Sequence, residues 1–145
     1  MIDIYRSVYD QFCYYLFSNP PEHGGVLGAR EDGTVTRFYY DFSGMSEKDS
    51  YTPDYRKINE ILDIWAEDGV ELAGMVHSHD DSCLFPSCGD LFYCEQILLS
   101  NPLMERFLLP IVIIPTKQIL VFVGYLENNR IKVRKDVFNI IDDTV

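Results

Sequence analysis

The chain has 145 residues, enough for one domain with its own core. An apolar share of 47% and an aromatic share of 14%, with ten Tyr and nine Phe, argue against disorder over most of the length. A formal charge of −11 argues against a general nucleic-acid binder, because phosphate contacts need clustered Lys and Arg, and is compatible with a basic protein partner.

The start, Met1 to Arg6, lacks the basic and apolar regions of a signal peptide. No apolar run approaches the length of a membrane span. Cys13, Cys83, Cys88 and Cys94 are not spaced as a secreted disulfide framework, so a cytosolic location is expected. Over residues 4–17, Ile4, Val8, Phe12 and Tyr15 or Leu16 recur at a helical period. Asn19-Pro20-Pro21 ends that helix, since proline lacks the N–H and restricts the residue before it. A small-residue strand (Val26 to Arg30) follows Glu22-His23-Gly24-Gly25, then the turn Glu31-Asp32-Gly33 and a returning strand over 34–42, rich in β-branched and aromatic residues.

Residues 43–53 are polar and read as a loop. Thr52 with Pro53 is the predicted start of a second helix, whose Ile58, Ile61, Leu62 and Trp65 form one buried face, and Asp68-Gly69 stops it. Val70 to Val76 is a strand ending at two histidines, and Asp80 to Pro86 is a loop. Ser87 opens a third helix that runs to about Ser100 and closes at Asn101-Pro102. Leu108 to Ile114 is nearly all apolar and is expected to be buried on both faces. Strands over 118–125 and from Arg130 to Phe138 complete the chain, the last with Arg130, Lys132 and Arg134 on one solvated face. This order makes an α/β sandwich, a mixed and largely antiparallel sheet covered by helices in a single domain.

The chemistry lies around His77, Ser78 and His79. Residues i and i+2 on a strand point to the same side, so the two imidazoles project together while Ser78 turns away. Seven residues separate His79 from Ser87, and Asp90 falls in the first turn of the following helix. His77, His79 and Asp90 are therefore candidate ligands for one zinc ion with an open fourth position. Zinc lowers the pKa of a water held there to about 7 and polarises a carbonyl. Ser87-x-x-Asp90 by itself reads better as a helix capping box. His-x-His followed by Ser-x-x-Asp at this offset arises by chance in about one chain in several thousand of this size, which favours the metal. A hydrolytic site also needs a proton shuttle, and Glu22 is the candidate, just before a strand small enough to pair closely beside the histidines. An exposed strand-edge glutamate is the alternative for that residue.

Glu22 with Gly25, then His77 and His79, seven residues, and Ser87 with Asp90 together resemble the JAMM (MPN-plus) zinc metalloprotease family. The element order is similar over nearly the whole chain, and the short length is like that of the compact prokaryotic branch. The resemblance implies an MPN (JAB) fold and one catalytic Zn2+ held by His77, His79 and Asp90. It implies that Glu22 is the general base that activates water and later protonates the leaving amine, and that Ser87 hydrogen-bonds the oxyanion. The implied reaction is cleavage of an amide or isopeptide bond after the flexible Gly-Gly tail of ubiquitin or a ubiquitin-like protein. Some prokaryotic relatives instead process sulfur-carrier proteins.

Family members commonly carry proline after the second histidine, where this chain has Asp80. Asp80 and Asp81 are expected to be solvated rather than ligands. Cys83 and Cys88 are read as loop packing or a redox-sensitive pair, with a His/His/Cys zinc site as the minority arrangement. A non-catalytic interaction module is the alternative function. A zinc deaminase ranks last, because its His-x-Glu and Cys-x-x-Cys signature is absent.

Overall fold

A computed structural model describes residues 1–47, 50–80 and 83–143. The expectation for Asp81 lies outside the described residues. Ile2–Tyr5 (β1) opens the chain and leads directly into helix α1, Arg6–Phe17. The predicted helix over 4–17 thus begins two residues late. Ile4 fits the spacing Ile4-Val8-Phe12, but it also alternates with Ile2, and both are fully buried in a strand paired on two sides. The hairpin expected next is present as Gly24–Ala29 (β2) and Val35–Tyr40 (β3), with Gly33 at φ +88° in the turn. The segment read as a loop instead holds two short antiparallel strands, Met45–Glu47 (β4) and Ser50–Thr52 (β5).

Helix α2 is Tyr55–Glu67, and its cap is Asp54 rather than Thr52, with the Asp54 carboxylate accepting from the Lys57 N–H. Pro53 therefore stands before the helix, because a side chain that can accept from the first turn sits one residue later. Glu71–His79 (β6) runs through both histidines. Helix α3, Cys88–Ser100, starts where Ser87 was expected to open it. Phe107–Ile113 (β7), Gln118–Glu127 (β8) and Arg130–Asp136 (β9) follow. Every residue of β7 is buried, as its unbroken apolar run requires.

The final strand expected to reach Phe138 breaks at Val137. Phe138–Ile141 (β10) pairs with β1 at the far end of the sheet from β9. The eight-stranded order is β10-β1-β3-β2-β6-β7-β8-β9. Because β9 and β10 are joined through one residue, the sheet must curl until its two ends meet, and the Ile2 N–H donates to the Val137 carbonyl at 2.9 Å. Four of its seven pairings are antiparallel, and the β1–β10, β1–β3 and β6–β7 pairings are parallel.

Each side of the curled sheet has its own apolar core. On one side Val8, Phe12 and Leu16 of α1, spaced by a helical turn, pack with Ile2, Ile4, Leu27, Val76 and Val112. On the other, Ile58 and Trp65 of α2 and Cys94 and Leu98 of α3 pack with Val26, Met75, Leu109 and Ile111. Alternation along β6 puts Val76 in the first core and Met75 in the second. His77 and His79 continue the Met75 face, at the end of β6 beside the start of α3.

Candidate metal centre and its cleft

His77 and His79 are 6% and 3% exposed, with ring centroids 4.4 Å apart. Buried imidazoles need partners for their ring nitrogens, since water does not supply them. The His79 Nδ1–H donates to the Cys83 carbonyl at 3.0 Å, which leaves Nε2 with a free lone pair facing the cleft residues. The His77 Nε2 is buried without a hydrogen bond. It lies 3.2 Å from Asp90 Oδ2, close in distance but not aligned as a hydrogen bond.

Glu22 completes the group. Its Oε1 is 3.8 Å from His79 Nε2, and the donor atoms of Glu22, His77 and His79 all lie within 4.8 Å of one another. A short strand entry brings it there. Gly24 pairs with His77 in the β2–β6 register, and the backbones of His23 and Ser78 are joined by the Ser78 N–H to the His23 carbonyl at 2.8 Å. Small residues are required on this strand: a Cβ at Gly25 would stand 2.2 Å from the Tyr39 carbonyl oxygen. Two imidazoles and a carboxylate suit zinc, and an orphaned buried Nε2 beside a second Nε2 freed by its tautomer is what an ion would satisfy. Glu22, His77 and His79 are thus close enough to hold a metal ion.

Ser87 and Asp90 form the capping box as well as joining the site. The Asp90 N–H donates to Ser87 Oγ at 3.1 Å, and the Ser87 N–H donates to Asp90 Oδ2 at 2.8 Å. Burial opposes ionisation of Asp90, but His77 and then the Ser87 N–H more than offset it and hold the carboxyl down at about 2. The His79 pKa is lowered by burial and then by the neighbouring His77, so this imidazole favours the neutral form that ligation needs. Asp90 is placed against His77, yet the mutually close donor group among the described residues contains Glu22 instead.

No cysteine sulfur joins the donor group among the described residues, although Cys83 lines the cleft. Cys83 is exposed, and its thiol donates to the Phe85 carbonyl at 3.1 Å; Cys88 is exposed in the first turn of α3. Asp80 is half-buried and lines the cleft rather than standing fully in solvent. The cleft is about 490 Å³ and is lined by Glu22, His77, His79, Ser87 and Asp90 together with Tyr51, Tyr55 and Tyr93.

Two contributors escaped the sequence reading. Ser78, fully buried on the opposite side of β6, accepts from the His23 N–H at 3.0 Å and so ties down the residue next to Glu22. A serine between two histidines was the signal available. The tyrosine wall was not legible, because Tyr51 was assigned to a loop and Tyr93 lies six residues beyond Ser87 on a helix face.

No family model matches the chain, and no curated protein matches it. The solution structure of protein DSY2949 from Desulfitobacterium hafniense is similar, with a TM-score of 0.71 at 17% identity, covering 99% of this chain and 94% of that one. At that identity the likeness concerns the fold. No helix among the described residues is long and apolar enough to cross a membrane.

Proposed function

We propose that this chain is a zinc-dependent metallopeptidase of the JAMM (MPN-plus) type, with an MPN fold. Its substrate would be an amide or isopeptide bond after the Gly-Gly-type tail of a ubiquitin-like or sulfur-carrier protein. The observation that carries the reading is the buried pair of imidazoles with both Nε2 atoms uncommitted to hydrogen bonds, gathered with Glu22 in one cleft. His77, His79 and Asp90 would hold the ion. A zinc ion there supplies Lewis acidity toward water and toward a carbonyl.

The chain's own residues would do the rest. Glu22 takes a proton from the attacking water and returns it to the departing amine, a transfer that requires its carboxylate beside the histidines. Ser87 Oγ accepts from the Asp90 N–H, which leaves the hydroxyl proton for donation to the developing oxyanion. The cleft has room for an extended tail rather than a folded body.

The test is incubation of zinc-loaded protein with a panel of Gly-Gly-tailed ubiquitin-like fusions, with Glu22→Gln as control. Cleavage at the tail by wild type, lost in Glu22→Gln, supports the reading. Full activity of Glu22→Gln would remove Glu22 as the base, and a wild type that cleaves none of the panel would leave the interaction-module reading standing.

A further inference from the structure

Asp41, just after β3, is 2% exposed. One of its oxygens is heavily used: Oδ2 accepts from the Tyr51 hydroxyl at 2.7 Å and from the Asp54 N–H at 2.9 Å. Its other oxygen, Oδ1, is buried without a hydrogen-bond partner. The Asp41 N–H donates to the Gly24 carbonyl at 3.0 Å. One residue thus ties together the entry to β2, the strand β5 and the cap of α2. A buried carboxylate with an unpaired oxygen is a poor stabiliser, and an apolar residue of similar size commonly serves a core as well or better. Its value lies in what it holds.

What it holds is Tyr51. A Cβ built on Gly24 would stand 2.5 Å from Tyr51 Cε2, so the ring is packed directly against that glycine. Gly24 is the register partner of His77. Tyr51 also lines the cleft, followed by Thr52 and Pro53. Burial, and then the hydrogen bond to Asp41, raise the Tyr51 pKa, which keeps the hydroxyl protonated and donating.

We infer that Asp41 is a positioning residue, whose carboxylate fixes Tyr51 as the wall that aligns substrate beside the histidines. Its consequence for substrate rests on the hydrolase reading above, whereas the immobilisation of Tyr51 does not. Asp41 acts through Tyr51 and touches no reacting atom.

The experiment uses the full chain labelled with 3-fluorotyrosine, with the Tyr51 fluorine resonance assigned by its absence in Tyr51→Phe. In wild type this resonance is expected as one dispersed line. In Asp41→Ala it should collapse toward the position of free fluorotyrosine, and in Asp41→Asn, whose amide oxygen can still accept, it should stay dispersed. Against a fusion that wild type cleaves, Asp41→Ala and Tyr51→Phe should each raise KM about tenfold, the worth of one hydrogen bond to a charged group. In both variants kcat should stay within roughly twofold of wild type. Zinc content should not change, and the double variant should be no worse than either single one.

An unchanged Tyr51 line in Asp41→Ala overturns the inference. So does a fall in kcat at constant KM, or additive effects in the double variant. If Asp41→Ala does not fold, Asp41→Leu, which fills the same buried space without an acceptor, carries the fluorine measurement, and Tyr51→Phe carries the kinetic one, since it removes the same hydrogen bond and keeps the ring. If wild type cleaves no fusion, the hydrolase reading fails separately, and the fluorine spectra alone decide whether Asp41 positions Tyr51.

Discussion

Replacing Ser78 with alanine removes a single oxygen from the face of β6 opposite the histidines. That oxygen is fully buried, accepts from the His23 N–H at 3.0 Å and donates weakly to the His23 carbonyl at 3.4 Å. The backbone bond from the Ser78 N–H to His23 remains, so the strand pairing survives. The His23 N–H is left without this acceptor beside a fully buried position, which costs about 1–3 kcal/mol. For a chain of this size the melting temperature should fall by about 3–10 °C. The larger effect should be on turnover. Glu22 is held beside His79 through its neighbour His23, and a displacement of about 1 Å in such a group can cost on the order of a hundredfold. Zinc content should stay at that of wild type, because neither imidazole is anchored by Ser78. The assay is thermal denaturation, metal analysis and tail cleavage on the same preparation. A Ser78→Ala protein with wild-type melting and full activity would refute the reasoning that this serine sets the position of Glu22.

Asp90→Asn tests the low carboxyl pKa in metal-free protein. With a folded pKa of about 2, below the unfolded value, Asp90 contributes stability above the ordinary carboxylate range and loses it as pH falls toward 2. Wild type should therefore be more stable than Asp90→Asn by about 1 kcal/mol near pH 6, discounted for partial exposure, with the difference closing near pH 2 in chemical denaturation. The cysteines should separate by burial. Cys94 and Cys13 are pushed by burial up to about 12 and about 11, whereas Cys83 and Cys88 are exposed. Iodoacetamide at pH 8 should modify Cys83 and Cys88 in the native chain and reach the other two only after unfolding, as peptide mass spectrometry would read.

The parts of this fold legible in sequence were those where a residue's local role and its tertiary role coincide. Ser87 caps a helix whether or not it serves a cleft, and the apolar run of β7 is buried whichever strands flank it. His-x-His on a strand put both rings on one side by alternation alone. The misses came where pairing partners lie far away. Ile2 and Ile4 became a strand because Phe138 and Ile140 lie beside them in register, more than 130 positions along the chain. Nothing local separates Ile4 from the helix period that follows it. The break at Val137 has the same origin: Arg130 to Phe138 alternates well enough for one strand, but the curl of the sheet carries its last residues to the opposite edge. The hairpin of β4 and β5 is too short and polar to announce itself, and with it went Tyr51 and its link to Asp41. Around His77 and His79, the sequence reading placed Glu22 close by through its strand entry but gave Asp90 as the third candidate ligand, whereas the donor atoms within 4.8 Å of one another are those of Glu22 and the two histidines.

The most direct test of the central claim is zinc content after purification without chelators, measured for wild type, Glu22→Gln and His77→Ala by elemental analysis. One zinc per chain is expected in wild type and in Glu22→Gln, with loss in His77→Ala. Wild type without zinc would contradict a metal centre at His77 and His79, and loss of zinc in Glu22→Gln would make Glu22 a ligand rather than the base.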